Sequence, residues 1–207
     1  MPIATALADF NASLIQCDNL IAAAHRQDSN NVSIFSAEER NQITTLALLN
    51  TFIAWEAFIE ATLVPFMCGQ PTLNGAHPRR HVIPPSALVA RDILKGTREF
   101  FDYGNHQFVK RIVRAYLDGG YPYEPHLSAI ENDLQDLRIM RNASAHISSS
   151  TQSALEGLAL RTLGRPSLGA TVHQLMTAPH PSSGSGETVY AVYQKKLAIA
   201  ASQIANG

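Results

Sequence analysis

Cysteine is scarce in this chain, which argues against a zinc-binding domain and against a secreted protein held together by disulfides. The two cysteines, Cys17 and Cys68, do not form a C-x-x-C pair, which argues against a zinc knuckle. No Lys or Arg precedes Arg26, so a signal peptide would lack its basic first region. Without an export signal we expect both cysteines to be reduced core residues. The sequence therefore predicts a cytoplasmic protein.

Charge of either sign is also sparse. Charged residues make up 16% of the 207 residues and the net charge is -1, so any nucleic-acid binding must use a local basic patch. Hydrophobic residues make up 45%, which is typical of a globular chain and excludes disorder. A long uninterrupted apolar run is missing as well, because Asn50, Glu56 and Glu60 interrupt the stretch 46–67. We expect that stretch to be a buried helix and expect no membrane contact.

Helical patterns account for most of what remains. Apolar residues from Ile3 to Ile21 recur at steps of three and four, and Ser36 with Glu39 forms a capping-box pattern. The sequence contains no convincing strand pair or repeat. The predicted fold class is all-α, an irregular helical bundle in one domain over residues 1–207. The predicted helices cover about 3–26, 36–67, 86–102, 105–117, 126–148, 152–163 and 188–205; irregular segments are expected at 69–86, 119–125 and 164–187.

The helix predicted over 126–148 carries the main functional signal. Its apolar stripe leads from Leu127 through Leu134 and Leu137 directly to Arg141. An arginine on a core-facing line needs an anion, which a neighbouring carboxylate or a bound phosphate would supply. At about 100° per residue, Arg141, Arg138, Asn142, Ala145 and His146 share one arc of roughly 140°.

These polar residues suit one kind of chemistry. A guanidinium is a planar fork of donors that matches a phosphate, and an imidazole exchanges protons near neutral pH. An asparagine orients either group. Together Arg141, Asn142 and His146 suffice for RNA cleavage without a metal or another cofactor, because RNA supplies its own nucleophile, the 2′-hydroxyl.

The segment Arg141-Asn142-Ala143-Ser144-Ala145-His146 resembles the R-x4-6-H signature of the HEPN superfamily. The stretch 54–60, which reads AWEAFIE, is similar to the stand-alone RiboL-PSP-like branch of that superfamily. The resemblance covers about residues 46–146. It implies a helical bundle, a homodimer with two facing motifs, and metal-independent endoribonuclease activity in a toxin or in phage defence. An antitoxin or a defence complex would then be the partner, and RNA the substrate.

Other interpretations of the same residues remain open at this stage. Arg141 would be structural if Glu56 or Glu60 paired with it, although Glu56 could also orient it for a phosphate, with Arg138 as a second supporting residue. His146 would then be an ordinary residue at a helix C-terminus, and Asn142 a cap.

Basic residues elsewhere have the same ambiguity. Lys110, Arg111 and Arg114 are candidate RNA contacts beside Tyr116, or else a solvated helix face. At the level of the whole protein, the alternatives to a nuclease are a non-catalytic HEPN interaction or nucleotide-binding module and a plain helical scaffold.

Overall fold

The computed structural model describes residues 1–146 and 148–207. These residues form nine α-helices and one 3-10 turn, with isolated bridges but no strand, so the predicted all-α class is confirmed for the described chain. The helices are α1 (Ile3–Ala24), α2 (Ala37–Met67), α3 (Ala87–Lys95), α4 (His106–Tyr116), α5 (Tyr123–Ala129), α6 (Glu131–Ala145), α7 (Ser149–Leu163), α8 (Val172–Thr177) and α9 (Val189–Asn206).

The first two helices follow the sequence pattern closely. Along α1 the buried side chains include Ile3, Phe10 and Leu14, at the spacing of the predicted stripe. The capping box before α2 is present. The Ser36 amide donates to Glu39 Oε2 at 2.7 Å, and the Glu39 amide donates to Ser36 Oγ at 3.2 Å. These local signals are therefore sufficient to set the start of α2.

The prediction of one continuous helix over 126–148 is wrong in its extent. It is two helices, α5 and α6, separated at Ile130, whose φ of -115° and ψ of 23° are not helical. Residues 123–125, predicted to belong to a turn, are the first residues of α5. Pro125 is compatible with this helix because it lies in the first turn, where the backbone amide has no helical hydrogen-bond partner. The C-terminal part of the prediction includes residue 147, which lies outside the described residues.

The irregular segment predicted over 164–187 contains a short helix, α8. Thr171 caps it, accepting from the Gln174 amide, while the Gln174 side chain accepts from the Thr171 amide. This reciprocal pair is a capping box that the sequence already contained as T-x-x-Q. The richness of the segment in Pro, Gly and Ser obscured that signal.

The described chain divides into two compact units. The first comprises Met1–Asn11, Ala54–Asn132 and Leu197–Gly207; the second comprises Ala12–Ile53 and Asp133–Lys196. Each unit is assembled from separated stretches, so neither is one continuous piece of sequence. The expectation of a single domain over residues 1–207 stays a prediction.

An aromatic core holds the first unit together. Trp55, expected to be a core residue, is 2% exposed and packs with Phe10 and Phe58 at ring-centroid distances of 5.9 Å. The fully buried Tyr123 donates its hydroxyl hydrogen to Thr62 Oγ1 at 2.7 Å. Because the hydroxyl is satisfied, the tyrosine can be buried without the cost of an unpaired polar group.

Buried polar contacts organise the second unit. The hydroxyls of Thr51 and Tyr190 lie 2.6 Å apart, and the side-chain amide of Gln194 donates to the Leu14 carbonyl at 3.0 Å. These bonds connect stretches far apart in sequence. They fix the packing of the second unit more specifically than apolar contact alone would.

By length and composition α2 is apolar enough to cross a membrane. Its most apolar 18-residue window is 56% buried within the protein, and a core helix of a water-soluble protein has the same properties. This feature is therefore weak evidence for a membrane span.

Cys68, directly after α2, is exposed, so the expectation that both cysteines are core residues is wrong for Cys68 and right for the buried Cys17.

The second unit contains a stacked pair of histidines. The rings of His25 and His173 lie 5.9 Å apart, nearly parallel, and Nδ1 of His173 is buried with no hydrogen-bond partner among the described residues. Burial, followed by the proximity of His25 and of Arg40, holds the pKa of His173 below its ordinary value of 6.5. The folded state therefore disfavours a proton that the unfolded chain accepts.

Because the folded pKa of His173 is the lower one, the free energy of unfolding should decrease as the pH falls through about 6.5. Urea denaturation at pH 7.5 and pH 5.5 measures this loss. The variant His173→Gln should lose less stability between the two pH values than the parent. Burial also lowers the pKa of His126, which should therefore make its own contribution to the loss of stability. The variant His126→Gln should leave the contribution of His173 unchanged. An unchanged pH dependence in His173→Gln would show that this histidine is not responsible.

Candidate functional site

The last two turns of α6 change from core to surface. Leu134 and Leu137 are at most 3% exposed, which confirms the predicted stripe as far as Leu137, and Met140, which the stripe did not include, is fully buried. Arg141 and the three residues that follow it are half-buried. The buried line therefore continues to Met140, and Arg141 lies half-buried beside it, so the expectation that the core-facing stripe leads directly to Arg141 is wrong.

Arg141 is held by two neighbours in the second unit. Its Nη1 donates to Asn142 Oδ1 at 3.2 Å, and its Cζ lies 5.9 Å from the centroid of the Phe52 ring. A guanidinium has five N–H donors, and the contact with Asn142 uses one of them. A role for Asn142 in positioning Arg141 stays a prediction, which this contact supports.

His146 lies immediately after the end of α6 and is exposed. Its amide donates to the Asn142 carbonyl at 2.9 Å, which continues the helical hydrogen bonding by one residue. The backbone of His146 is thus tied to the same turn that bears Arg141 and Asn142. The three predicted site residues therefore share one hydrogen-bonded turn of backbone, which their spacing in the sequence already implies.

Thr151, in the first turn of α7, is a residue that sequence reasoning missed. Its hydroxyl donates to the His146 carbonyl at 2.7 Å, and its amide donates to Ser148 Oγ at 3.2 Å in a capping box. The backbone of His146 is therefore fixed at its amide by α6 and at its carbonyl by α7. The pattern Ser148-x-x-Thr151 could have pointed to this cap, although not to its contact with His146.

The two carboxylates considered as partners for Arg141 belong to the first unit. Glu60 Oε1 lies 3.7 Å from Arg91 Nε, so Glu60 has a different basic partner. A role for Glu56 in orienting Arg141 stays a prediction. Arg138, the other supporting residue, is half-buried on the preceding turn of α6.

The predicted basic face of α4 is partly neutralised. Lys110 is 8% exposed, and its Nζ lies 2.7 Å from Glu131 Oε2 and 3.7 Å from Glu124 Oε1. Arg114 is exposed and pairs with Glu124. The hydrogen bond from Lys110, followed by that from Gln107, lowers the pKa of Glu131. Lys110 is therefore not part of a solvated face, and its charge is already compensated.

No three histidine, cysteine, aspartate or glutamate side chains come together to form a metal site in the part of the chain described, residues 1–146 and 148–207. Comparison with known proteins adds nothing to this picture. No family model, curated protein or solved structure matches the chain.

The arrangement at the end of α6 combines an anion-binding group with a proton-transfer group. Arg141 is half-buried and oriented by Asn142, so its fork is partly preorganised for a phosphate. His146 is exposed, with its backbone fixed on both sides, so a substrate in solvent can reach its ring. Such a pair can stabilise a phosphorane and exchange a proton with it.

Replacing Thr151 tests whether the backbone of His146 needs this support. Thr151→Val removes the hydroxyl donor and should lower kcat for RNA cleavage about tenfold while changing KM little, because only the placement of His146 is altered. Ser148 still caps α7 in this variant, but the hydrogen bond from the Ser148 amide to the Thr151 hydroxyl is lost, which should lower the free energy of unfolding by about 1 kcal/mol. Steady-state kinetics and urea denaturation measure the two effects.

The variant Thr151→Ser retains the hydroxyl and should restore both kcat and stability. Thr177→Val is a matched control, because the Thr177 hydroxyl also donates to a backbone carbonyl, that of His173. A kcat in Thr151→Val equal to that of the parent would rule out a positioning role.

Proposed function

We propose that this chain is a metal-independent endoribonuclease of HEPN type. The observation that supports the proposal is the grouping of Arg141, Asn142 and His146 on one segment at the end of α6. The family name rests on the resemblance of this segment to R-x4-6-H. The chain would act in the cytoplasm as a toxin or a phage-defence effector, with RNA as its substrate.

The proposed reaction is a transesterification. A base removes the proton of the 2′-hydroxyl, the 2′-oxygen attacks the adjacent phosphorus, and the bond from phosphorus to the 5′-oxygen breaks. The 5′-oxygen leaves with a proton, so the products end in a 2′,3′-cyclic phosphate and a 5′-hydroxyl. Atoms and charges balance without a redox step or an added metal ion.

Each residue has one task in this scheme. Arg141 binds the scissile phosphate and stabilises the charge on the phosphorane. His146 moves one of the two protons, as general base or general acid. Asn142 holds Arg141. A second copy of the chain completes the site in a homodimer, and its His146 moves the other proton.

A chimeric oligonucleotide tests the proposed chemistry. Once a cleaved linkage is mapped, the nucleotide on its 5′ side is replaced by its 2′-deoxy form, which lacks the nucleophile. The proposal predicts no cleavage at that linkage, unchanged cleavage of the all-RNA oligonucleotide in EDTA, and products with cyclic phosphate ends. Cleavage of the deoxy linkage at the parent rate would disprove attack by the 2′-hydroxyl.

A further inference from the structure

Two arginines contact one aromatic ring on α4. The guanidinium carbon of Arg98 lies 4.2 Å from the centroid of the Phe108 ring, and that of Arg111 lies 5.1 Å from it. Arg98 comes from the stretch after α3, whereas Arg111 is three residues beyond Phe108 on α4. Both guanidinium groups are therefore attracted to the same ring, which does not neutralise either charge.

The charges of this pair are uncompensated at close range. Within the described ranges, 1–146 and 148–207, neither Arg98 nor Arg111 has a carboxylate oxygen within 4.0 Å. Both residues are exposed. Glu99 and Asp102 lie close to Arg98 in sequence, so the excess of positive charge is confined to the two arginines themselves. Two uncompensated cations on one ring are suited to a ligand that carries more than one negative charge.

Aromatic residues adjoin the arginine pair. Phe101 is buried and packs on Phe108, with ring centroids 4.9 Å apart. Its neighbour Phe100 is 70% exposed. Phe100 therefore lies in the chain between Arg98 and the anchored Phe101, with its own side chain exposed. An exposed ring two residues from a cation in sequence offers a stacking surface for a planar group.

The adjoining surface of α4 is concave. A shallow depression of about 630 Å³ is lined by Gln107, Lys110, Arg111, Arg114 and Ala115. Arg111 thus belongs both to the arginine pair and to this depression. A strand that contacts the pair can continue into this groove, where Gln107, Lys110 and Arg114 are already bonded to Glu131 or Glu124 and Arg111 carries the uncompensated charge.

We infer that Arg98, Phe100, Phe108 and Arg111, together called the Arg98–Arg111 patch, bind single-stranded RNA. The arginines contact phosphates, and Phe100 stacks on an unpaired base. Both kinds of contact are needed to select single-stranded RNA. Cations alone would bind any polyanion, and an aromatic ring alone would bind any apolar surface. The inference extends the proposed function, on which it rests, by naming where the substrate is held.

Binding can be measured apart from cleavage with a fluorescent 12-nucleotide RNA that carries 2′-O-methyl groups, because these block the nucleophile. In anisotropy titrations, the double variant Arg98→Gln/Arg111→Gln should raise Kd about tenfold or more. Two lost phosphate contacts should also reduce the slope of log K against log salt by about 1.4 for a single strand. Phe100→Ala should raise Kd about fivefold with little change in that slope.

The matched control is Arg26→Gln/Arg165→Gln, which removes two exposed charges of the second unit. It should bind the RNA like the parent; circular dichroism of all variants verifies folding. Equal Kd values for the two double variants, or equally tight binding of a duplex of the same length, would overturn the inference. His146→Ala should bind normally, so loss of cleavage in that variant and loss of binding in the patch variants report on the two proposals separately.

Discussion

Replacement of His146 by alanine is expected to lower the single-turnover rate of RNA cleavage by about 10²–10⁴-fold, the usual contribution of a general acid or base. The ring is exposed and makes no contribution to the core, so the free energy of unfolding should stay within about 0.5 kcal/mol of the parent value. Cleavage of an end-labelled oligonucleotide under enzyme excess measures the rate, because product release does not limit it there.

The matched control for this variant is His81→Ala. His81 is also exposed, and its amide donates to the Tyr116 carbonyl, a contact that the substitution retains. It should cleave RNA at the parent rate. If His146→Ala and His81→Ala cleave equally fast, His146 takes no part in the chemistry.

Replacement of Arg141 by methionine is expected to lower the same rate by about 10²–10³-fold. Methionine is similar in length, so contact with Phe52 is preserved, whereas the charge that would stabilise the phosphorane is lost. Arg141→Lys should fall between the parent and the methionine variant, because lysine keeps the charge but not the planar fork. Single-turnover kinetics with a stability measurement on each variant separates chemistry from folding.

Arg161→Met is the control for loss of one positive charge. Arg161 is exposed and pairs with Asp136 at 3.0 Å, in the same unit as Arg141. The variant Arg161→Met should cleave RNA at the parent rate. A scaffold with a structural Arg141 predicts the opposite result for Arg141→Met, namely lower stability with activity unaltered.

Signals confined to a few neighbouring residues predicted the structure well. The Ser36–Glu39 capping box set the start of α2, and the apolar spacing along α6 identified the buried Leu134 and Leu137. The joint placement of Arg141, Asn142 and His146 followed from their positions on or next to one helix. Such features depend on backbone hydrogen bonds within a few residues, which the sequence encodes directly.

Features that depend on tertiary contacts were not predictable in the same way. The start of α5 is supported by burial of Tyr123 against Thr62, residues 61 positions apart. The compensation of Lys110 by Glu131 likewise joins two different helices, α4 and α6. Helical spacing cannot reveal such partners, because it describes one element at a time.

The most direct test of the central claim is incubation of the purified parent protein with a labelled total-RNA pool in EDTA. The account predicts cleavage into fragments with 2′,3′-cyclic phosphate ends, and intact RNA in parallel reactions with His146→Ala. Intact RNA with the parent protein, together with tight binding of a nucleotide, would contradict the account and favour a non-catalytic binding module.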